Sequence, residues 1–235
     1  MDKFDKELSE LGIILTHQQK EQFEHYYEML VERNKVMNLT GITDYDEVNL
    51  KHFTDSLTIV RVKGMEQIST LIDIGTGAGF PGIPIKIVFP HIKILLLDSL
   101  NKRLKFLEDV IGELTLKEIE TLHGRAEDYA KKPEYREKFD LCVSRAVANL
   151  STLSEYCLPF VKKGGSFVSY KSGDSEEEIR QAEHVVHMLG GKIEKIDQFR
   201  LPGTDIGRSL AVIEKIKNTP GKYPRKAGIP AKEPL

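Results

Sequence analysis

The chain has 235 residues, about 1.6 domains by the usual length prior, which fits one large α/β domain with an appendage or two small domains. Hydrophobic residues make up 40 % and charged residues 30 %, a globular balance that excludes a wholly disordered, collagenous or coiled-coil chain. With 34 basic against 36 acidic residues the net charge is −2, which disfavours a nucleic-acid coat protein but allows an enzyme that visits nucleic acid through a local basic patch.

Cys142 and Cys157 are the two cysteines, so neither a disulfide framework nor a cysteine zinc site is available. Both read as buried apolar residues, one in a strand and one in a helix. The first residues, Met1 to Glu7, lack an apolar signal core. No run approaches the roughly 18 apolar residues of a membrane span. The expected compartment is therefore the cytoplasm, with no membrane partner.

Residues 1–62 read as a helical segment. Phe23, Tyr26, Tyr27, Leu30 and Val31 recur at helical spacing, and Thr16 followed by Gln19 is a capping-box pattern. A second helix is expected from Thr43-Asp44, carrying Val48, Phe53, Leu57 and Val60. His52 and Asp55, three apart on it, could face an active-site mouth. Spacing alone favours a helix-surface pair.

Residues 63–217 alternate strand and helix patterns. Strands are expected at 71–74, 92–97, 116–122, 139–143, 165–170, 192–199 and 210–216, with helices near 82–89, 101–112, 150–158 and 174–189. This predicts a mostly parallel, Rossmann-like seven-stranded sheet with helices on both faces. No helix separates the last two strands, so one should be antiparallel at the sheet edge. Asp174 and Glu176 to Glu178 suit a helix start, where negative charge favours the dipole. His184 and His187 have metal spacing but no carboxylate on the next turn, and read as a solvated face; no metal is expected. Residues 218–235 form a basic tail. From Lys215 onward six basic residues face Glu233, and four prolines keep the segment extended. It reads either as a solubiliser or as an arm that contacts phosphate.

The chemistry centres on Asp73-Ile74-Gly75-Thr76-Gly77-Ala78-Gly79-Phe80-Pro81-Gly82, which follows the first strand and opens a helix. Its glycines permit positive φ and close approach of a ligand, and Pro81 suits an early helical position. A dinucleotide loop needs G-x-G-x-x-G at the strand end. Counted from Gly75 that pattern fails at Phe80; counted from Gly77 it reaches Gly82 but starts two residues late. An acidic residue followed by G-x-G-x-G fits Asp73 to Gly79 and is the first motif of Rossmann-like S-adenosylmethionine methyltransferases. Asp98, at the end of the second strand, is placed to accept ribose hydroxyls. It could instead cap the next helix, but Ser99 and Asn101 can serve there.

Gly124 to Asp128 follow the third strand, where such folds approach an adenine. Ser144-Arg145-Ala146 end the fourth strand, which points at the reacting group. Arg145 is the catalytic candidate, as a positioning residue. Asn/Asp-Pro-Pro-aromatic and a nucleophilic cysteine, expected for amino and pyrimidine-carbon methylation, are both missing. Lys171, Arg200 and Arg208 border the same sheet edge, and they are the candidate RNA contacts if the methyl acceptor is RNA.

At 73–84, at Leu96-Leu97-Asp98-Ser99-Leu100-Asn101-Lys102-Arg103, at Val143-Ser144-Arg145-Ala146, at Asn38-Leu39-Thr40 and at His52-Phe53-Thr54-Asp55-Ser56-Leu57, the chain resembles the glucose-inhibited division protein B family. These are bacterial 16S ribosomal RNA guanine-N7 methyltransferases. The resemblance runs from about residue 20 to 216. It implies S-adenosylmethionine as donor and a guanine of the decoding-region hairpin as acceptor, in 16S ribosomal RNA or the small ribosomal subunit. Matched by motif, it places donor contacts at Gly75, Gly77, Phe80, Ala126, Glu127 and Arg145, beside Asp73, Gly79 and Asp98 from the loop argument. Phe80 replaces the family's frequent Leu. A monomer is expected. The competing readings are a nicotinamide oxidoreductase, without an evident hydride-relay histidine, and a non-catalytic S-adenosylmethionine sensor. Because guanine N7 has a lone pair and no proton, the implied reaction needs alignment and no general base.

Overall fold

The computed structural model describes residues 2–145, 148–173 and 175–235. Its first helices are α1 (Lys3–Glu10) and α2 (His17–Met37). Thr16 and Gln19 close the expected capping box at the start of α2. Asp44 then caps α3 (Tyr45–Val48) through the backbone N–H of Glu47. The run continues as a π-helical turn, Asn49–Thr54, then α4 (Asp55–Leu57) and a 3-10 turn, Thr58–Arg61. The second helix predicted from the sequence is thus present but wound wide at its middle.

Seven strands follow among the described residues: β1 (Thr70–Ile74), β2 (Lys93–Asp98), β3 (Ile119–His123), β4 (Phe139–Ser144), β5 (Val161–Ser172), β6 (Gly191–Arg200) and β7 (Gly207–Lys215). Between them lie α5 (Gly82–Val88), α6 (Asn101–Glu113), α7 (Ala126–Tyr129), α8 (Leu150–Cys157) and α9 (Glu176–Met188). Asp174, expected at the start of α9, lies outside the described residues. The sheet order is β3-β2-β1-β4-β5-β7-β6. The first five strands pair in parallel, while β7 is antiparallel to both β5 and β6. One expectation is corrected here. The antiparallel strand is not at the edge: β7 inserts between β5 and β6, because its run Leu210 to Ile213 is buried on both faces and β6 is half exposed.

Both faces of the sheet are covered, as a parallel sheet requires. Side chains alternate between them along each strand. Leu71, Val143 and Val168 join one core with α5, α6 and the N-terminal helices; Ile72, Cys142 and Phe167 join the other with α8 and α9. Both cysteines are buried. In the first core Phe4, Phe23, Tyr26 and Phe53 pack ring against ring at 5.0–6.1 Å, so residues 1–62 share a core with the sheet.

The tail does not stay extended. Tyr223 is buried in the second core, and the guanidinium of Arg136 donates to the carbonyls of Thr219 at 2.8 Å and Tyr223 at 3.0 Å. Arg225 forks onto the buried carboxylate of Glu155, and α10 (Ile229–Lys232) follows. The partners lie about 70 to 90 positions upstream, so nothing local announced them. Lys215, grouped with the tail's charges, is fully buried in β7. Its Nζ donates to Leu158 and Thr219, and burial lowers its pKa to about 8. Among the described residues no helix is long and apolar enough to cross a membrane.

Candidate functional site

The loop between β1 and α5 takes the backbone path that its glycines allow. Gly75, Gly77 and Gly79 have φ of 72°, 61° and 99°, where a side chain is disfavoured. Each has a different neighbourhood. Gly75 lines a cavity. A Cβ on Gly77 would meet nothing closer than 3.9 Å, whereas one on Gly79 would fall 2.6 Å from Tyr26 Oη. Tyr26, on α2, donates from that oxygen to the Ala78 carbonyl, so an N-terminal helix braces the back of the loop. Asp73 Oδ2 accepts from Thr76 Oγ1 at 2.7 Å and Gly82 N at 3.0 Å. Its Oδ1 is buried without a partner among the described residues, and burial lifts its pKa to about 7 against those hydrogen bonds.

The glycine-loop cavity measures about 310 Å³, within the range of small-molecule sites. It opens at the C-terminal ends of the parallel strands, where ligands bind in such folds. Its wall includes Gly75, Asp98, Ala126, Glu127 and Ser144. Asp98 Oδ2 accepts from Gly77 N at 2.9 Å, and Oδ1 accepts from Leu100 N at 2.9 Å. Ser99 and Asn101 do not cap α6: its N-cap is Leu100, without a side-chain cap, and Asp98 binds that turn itself. Glu127 is buried, and its Oε1 accepts from Gly228 N at 2.8 Å. Sequence reasoning missed Ser99, Arg103, Leu153 and Tyr156, which also line this wall. The last two come from α8, with no motif of their own.

A second cavity of about 410 Å³ includes Lys51, His52, Asp55, Arg145, Tyr170 and Arg208 in its wall. Ser144 lines the first cavity and Arg145 the second, so the two flank the end of β4. Ala146, the next residue of that motif, lies outside the described residues. Arg145 Nη1 donates to Asp55 Oδ2 at 3.3 Å and to the Lys51 carbonyl at 3.1 Å. Arg208 Nε donates to Asp55 Oδ1 at 3.1 Å. Asp55 is thus shared by two guanidinium groups at 7 % side-chain exposure.

Asp55 is therefore buried and His52 half-buried in the cavity wall, not the helix-surface pair that their spacing favours. His52 sits in the π-helical turn, a distortion often found at functional sites, and Asp55 opens the α-helix directly after it. His52 stacks on Phe80 with ring centroids 4.7 Å apart, and the Arg145 guanidinium lies 5.0 Å from the same ring centre. Its Nε2 pairs with Thr40 Oγ1 at 2.7 Å and its Nδ1 lies 3.3 Å from Arg145 Nη2. Burial, then the charge of Arg145, lower the His52 pKa to about 4. Phe80, buried among His52, Tyr26 and Phe53, is absent from the wall of the first cavity.

The three expected RNA contacts separate. Lys171 and Arg208 line the second cavity, but both are paired. Lys171 Nζ donates to the Ala148 carbonyl at 2.8 Å and to Glu178 at 2.7 Å. Arg200 lies elsewhere, exposed and paired with Asp205 beside a shallow hollow that includes Glu10. Among the described residues no group of three or more side chains could hold a metal.

Comparison with known proteins decides the family. The model of the family described as rRNA small subunit methyltransferase G matches residues 19–206. The chain belongs to that family. An rRNA small subunit methyltransferase G of Lachnoclostridium phytofermentans is 53 % identical over 99 % of this chain and 96 % of its own length. One from Bacillus subtilis is 48 % identical over 100 % and 98 %. Solved structures are similar in fold alone: a putative transferase of Pyrococcus horikoshii (13 % identity, TM-score 0.57, 70 % of this chain and 63 % of that one) and a putative sarcosine dimethylglycine methyltransferase of Galdieria sulphuraria (11 %, 0.56, 74 % and 89 %). As a member of the methyltransferase G family the chain is a methyltransferase that uses S-adenosylmethionine. The expected fold class holds as well: an α/β class I methyltransferase sheet.

Proposed function

We propose that the chain transfers a methyl group from S-adenosylmethionine to N7 of a guanine in 16S ribosomal RNA. The observation that carries this reading is the pair of cavities flanking Ser144–Arg145 at the end of β4. The glycine-loop cavity suits the donor. Asp98 offers acceptor oxygens to a ribose, and Gly75 and Ala126 let a flat base and its sugar lie against backbone; Asp73, buried behind this wall, adds negative charge that suits a cationic ligand without touching it. Glu127 closes that wall. S-adenosylmethionine supplies an activated methyl on sulfur.

The arginine cavity suits the acceptor. Lys51, His52 and Asp55 come from the N-terminal helical segment, which serves in this reading as part of the RNA platform. Arg145 positions the base or an adjacent phosphate, and Arg208 supports it through Asp55. Neither His52 nor Asp55 is free to take a proton: the first pairs with Thr40 and Arg145, the second with two guanidinium groups. A nucleophile without a proton to lose fits this surrounding, and alignment supplies the rate. We read the chain as a monomer acting on small ribosomal subunits in the cytoplasm.

The test is to incubate the protein with labelled S-adenosylmethionine and small subunits, or their bare RNA, from a strain lacking this activity. The RNA is then cleaved chemically at 7-methylguanine. Label at one cleavable guanine is expected. Label on a base amine or a ribose would overturn the N7 reading.

A further inference from the structure

A segment beyond the residues matched by the family model reaches the donor cavity. Glu127 lines that cavity with its carboxylate buried, and its hydrogen-bond donor is the backbone N–H of Gly228 at 2.8 Å. Gly228 has φ of 86°, a left-handed turn that suits glycine. Two anchors hold the turn in place, both on α8. Arg225 binds Glu155 with its backbone N at 2.7 Å, Nε at 3.0 Å and Nη2 at 2.7 Å. Thr152 Oγ1 donates to the Pro230 carbonyl at 3.1 Å. The same helix gives Leu153 and Tyr156 to the cavity wall. One stretch of chain therefore ties together two walls of the donor site.

We propose that residues 225–235 position the donor-binding wall: Gly228 fixes the Glu127 carboxylate, and Arg225 fixes α8. The inference rests on the donor-site reading above. Without Gly228 the buried carboxylate loses its hydrogen bond and turns toward water, and the wall must be ordered again each time a donor binds. Arg225, which the sequence offered as a phosphate contact, has its guanidinium engaged by Glu155 and by the Glu233 carbonyl. Exposed Lys222, Lys226 and Lys232 keep the alternative of an RNA arm as an outcome of the test.

The test compares the full chain with a chain ending at Arg225, which keeps Tyr223 in the core. Expected are a KM for S-adenosylmethionine about tenfold higher, the size of one lost hydrogen bond to a charged group, a kcat at saturating donor within about twofold, and an unchanged KM for small subunits. Arg225→Lys in the full chain keeps the charge, gives up the fork, and should raise the donor KM less. An unchanged donor KM in a folded truncated chain overturns the proposal. A higher KM for RNA with an unchanged donor KM overturns it in favour of the RNA arm. If the truncated chain does not fold, Arg225→Lys with an unchanged donor KM overturns it. Absence of donor binding by the intact chain would sink the donor-site reading instead, a distinct result.

Discussion

The two cavities flanking β4 are built from different materials. The cavity proposed for the donor is held mainly by backbone: a loop with glycines at positive φ, strand ends, and two carboxylates, Asp98 and Glu127, each anchored by main-chain N–H groups, of Gly77 and Leu100 for the first and of Gly228 for the second. The cavity proposed for the acceptor is made of side chains from elements far apart in sequence, with Asp55, His52, Arg145 and Arg208 paired to one another. A backbone site is rigid because its shape is fixed by φ and by main-chain hydrogen bonds. A site of paired charges can exchange partners, since an incoming phosphate or base can replace a carboxylate on the same guanidinium. The donor side should respond to changes in shape, and the acceptor side to changes in charge pairing.

The largest expected effect is on the acceptor side. Arg145→Ala should lower the single-turnover rate by about 100-fold, the scale of a misplaced reacting group, with donor affinity changed little. It should also cost stability, by about 1.5–3 kcal/mol for a lost hydrogen bond to a charged partner, because Asp55 is left buried with Arg208 alone. Thermal unfolding and rapid-quench transfer would measure both. Full activity would leave Arg145 with its salt bridge to Asp55 as its role. Next come the glycines. Gly77→Val places a branched side chain at φ of 61°, and should weaken donor binding by about tenfold through the strained turn. Gly79→Ala meets Tyr26, Ile83 and Leu107 within 3.0 Å. It should cost about 1–3 kcal/mol of stability by overpacking, with a smaller change in donor affinity once folded. Calorimetry on both variants separates the roles; identical behaviour would break the distinction drawn between these two glycines.

This contrast also explains what the sequence made legible. Asp73 to Gly79 and Asp98 are local signals: a strand pattern, then glycines at fixed offsets, then an acid one strand later. The seven strands were legible for the same reason, since each is a short apolar run with its own boundaries. The other cavity was legible only in pieces: Arg145, Lys171 and Arg208 were expected at one sheet edge, but the pairing of the arginines with Asp55 and His52 forms only once the N-terminal segment packs on the sheet. Regular spacing did not announce the π-helical turn at 49–54, which carries His52 and leads directly into Asp55. Phe80 read as part of the glycine motif, yet its ring packs toward His52. The packing of the tail was not legible because proline and charge describe only the segment itself, while Arg136 and Glu155, which hold it, lie far upstream.

A smaller effect concerns pH on the donor side. Burial raises Asp73 to about 7, so below that pH the carboxyl behind the cavity wall is neutral and no longer adds its negative charge to that of Asp98 in attracting a cationic ligand. Donor affinity should fall as pH drops below 7, by at most about tenfold per unit. Asp73→Asn should flatten this dependence at a weaker affinity. The sign for folding is opposite. A carboxyl raised above its unfolded value near 3.8 contributes stability that is present below pH 4 and lost as pH rises through 7. Donor binding should therefore add most to the melting temperature above pH 7, where an ionised Asp73 lacks compensation. Donor affinity that stays constant from pH 5.5 to 8 would remove Asp73 from the site.

The smallest expected effect is an absence of one. With saturating donor, single-turnover transfer should be nearly flat from about pH 6 to pH 9. Guanine N7 has no proton to give up, so a base is required only if the acceptor is something else. His52 is the residue most able to act as one by chemistry, and its pKa is lowered to about 4 by burial and by Arg145. It stays neutral across the window. Its effect on folding lies below the window too: a histidine lowered from 6.5 contributes stability that is present above pH 6.5 and lost as pH falls through 4. His52→Gln should accordingly flatten the acid limb of stability and leave the shape of the rate profile unchanged, even where RNA binding weakens. A single-proton rise with a midpoint near 6.5 that vanishes in His52→Gln would show a histidine taking a proton during transfer. The acceptor would then have to be an amine or a hydroxyl, and the paired charges of the second cavity would have to separate before each reaction to free that histidine.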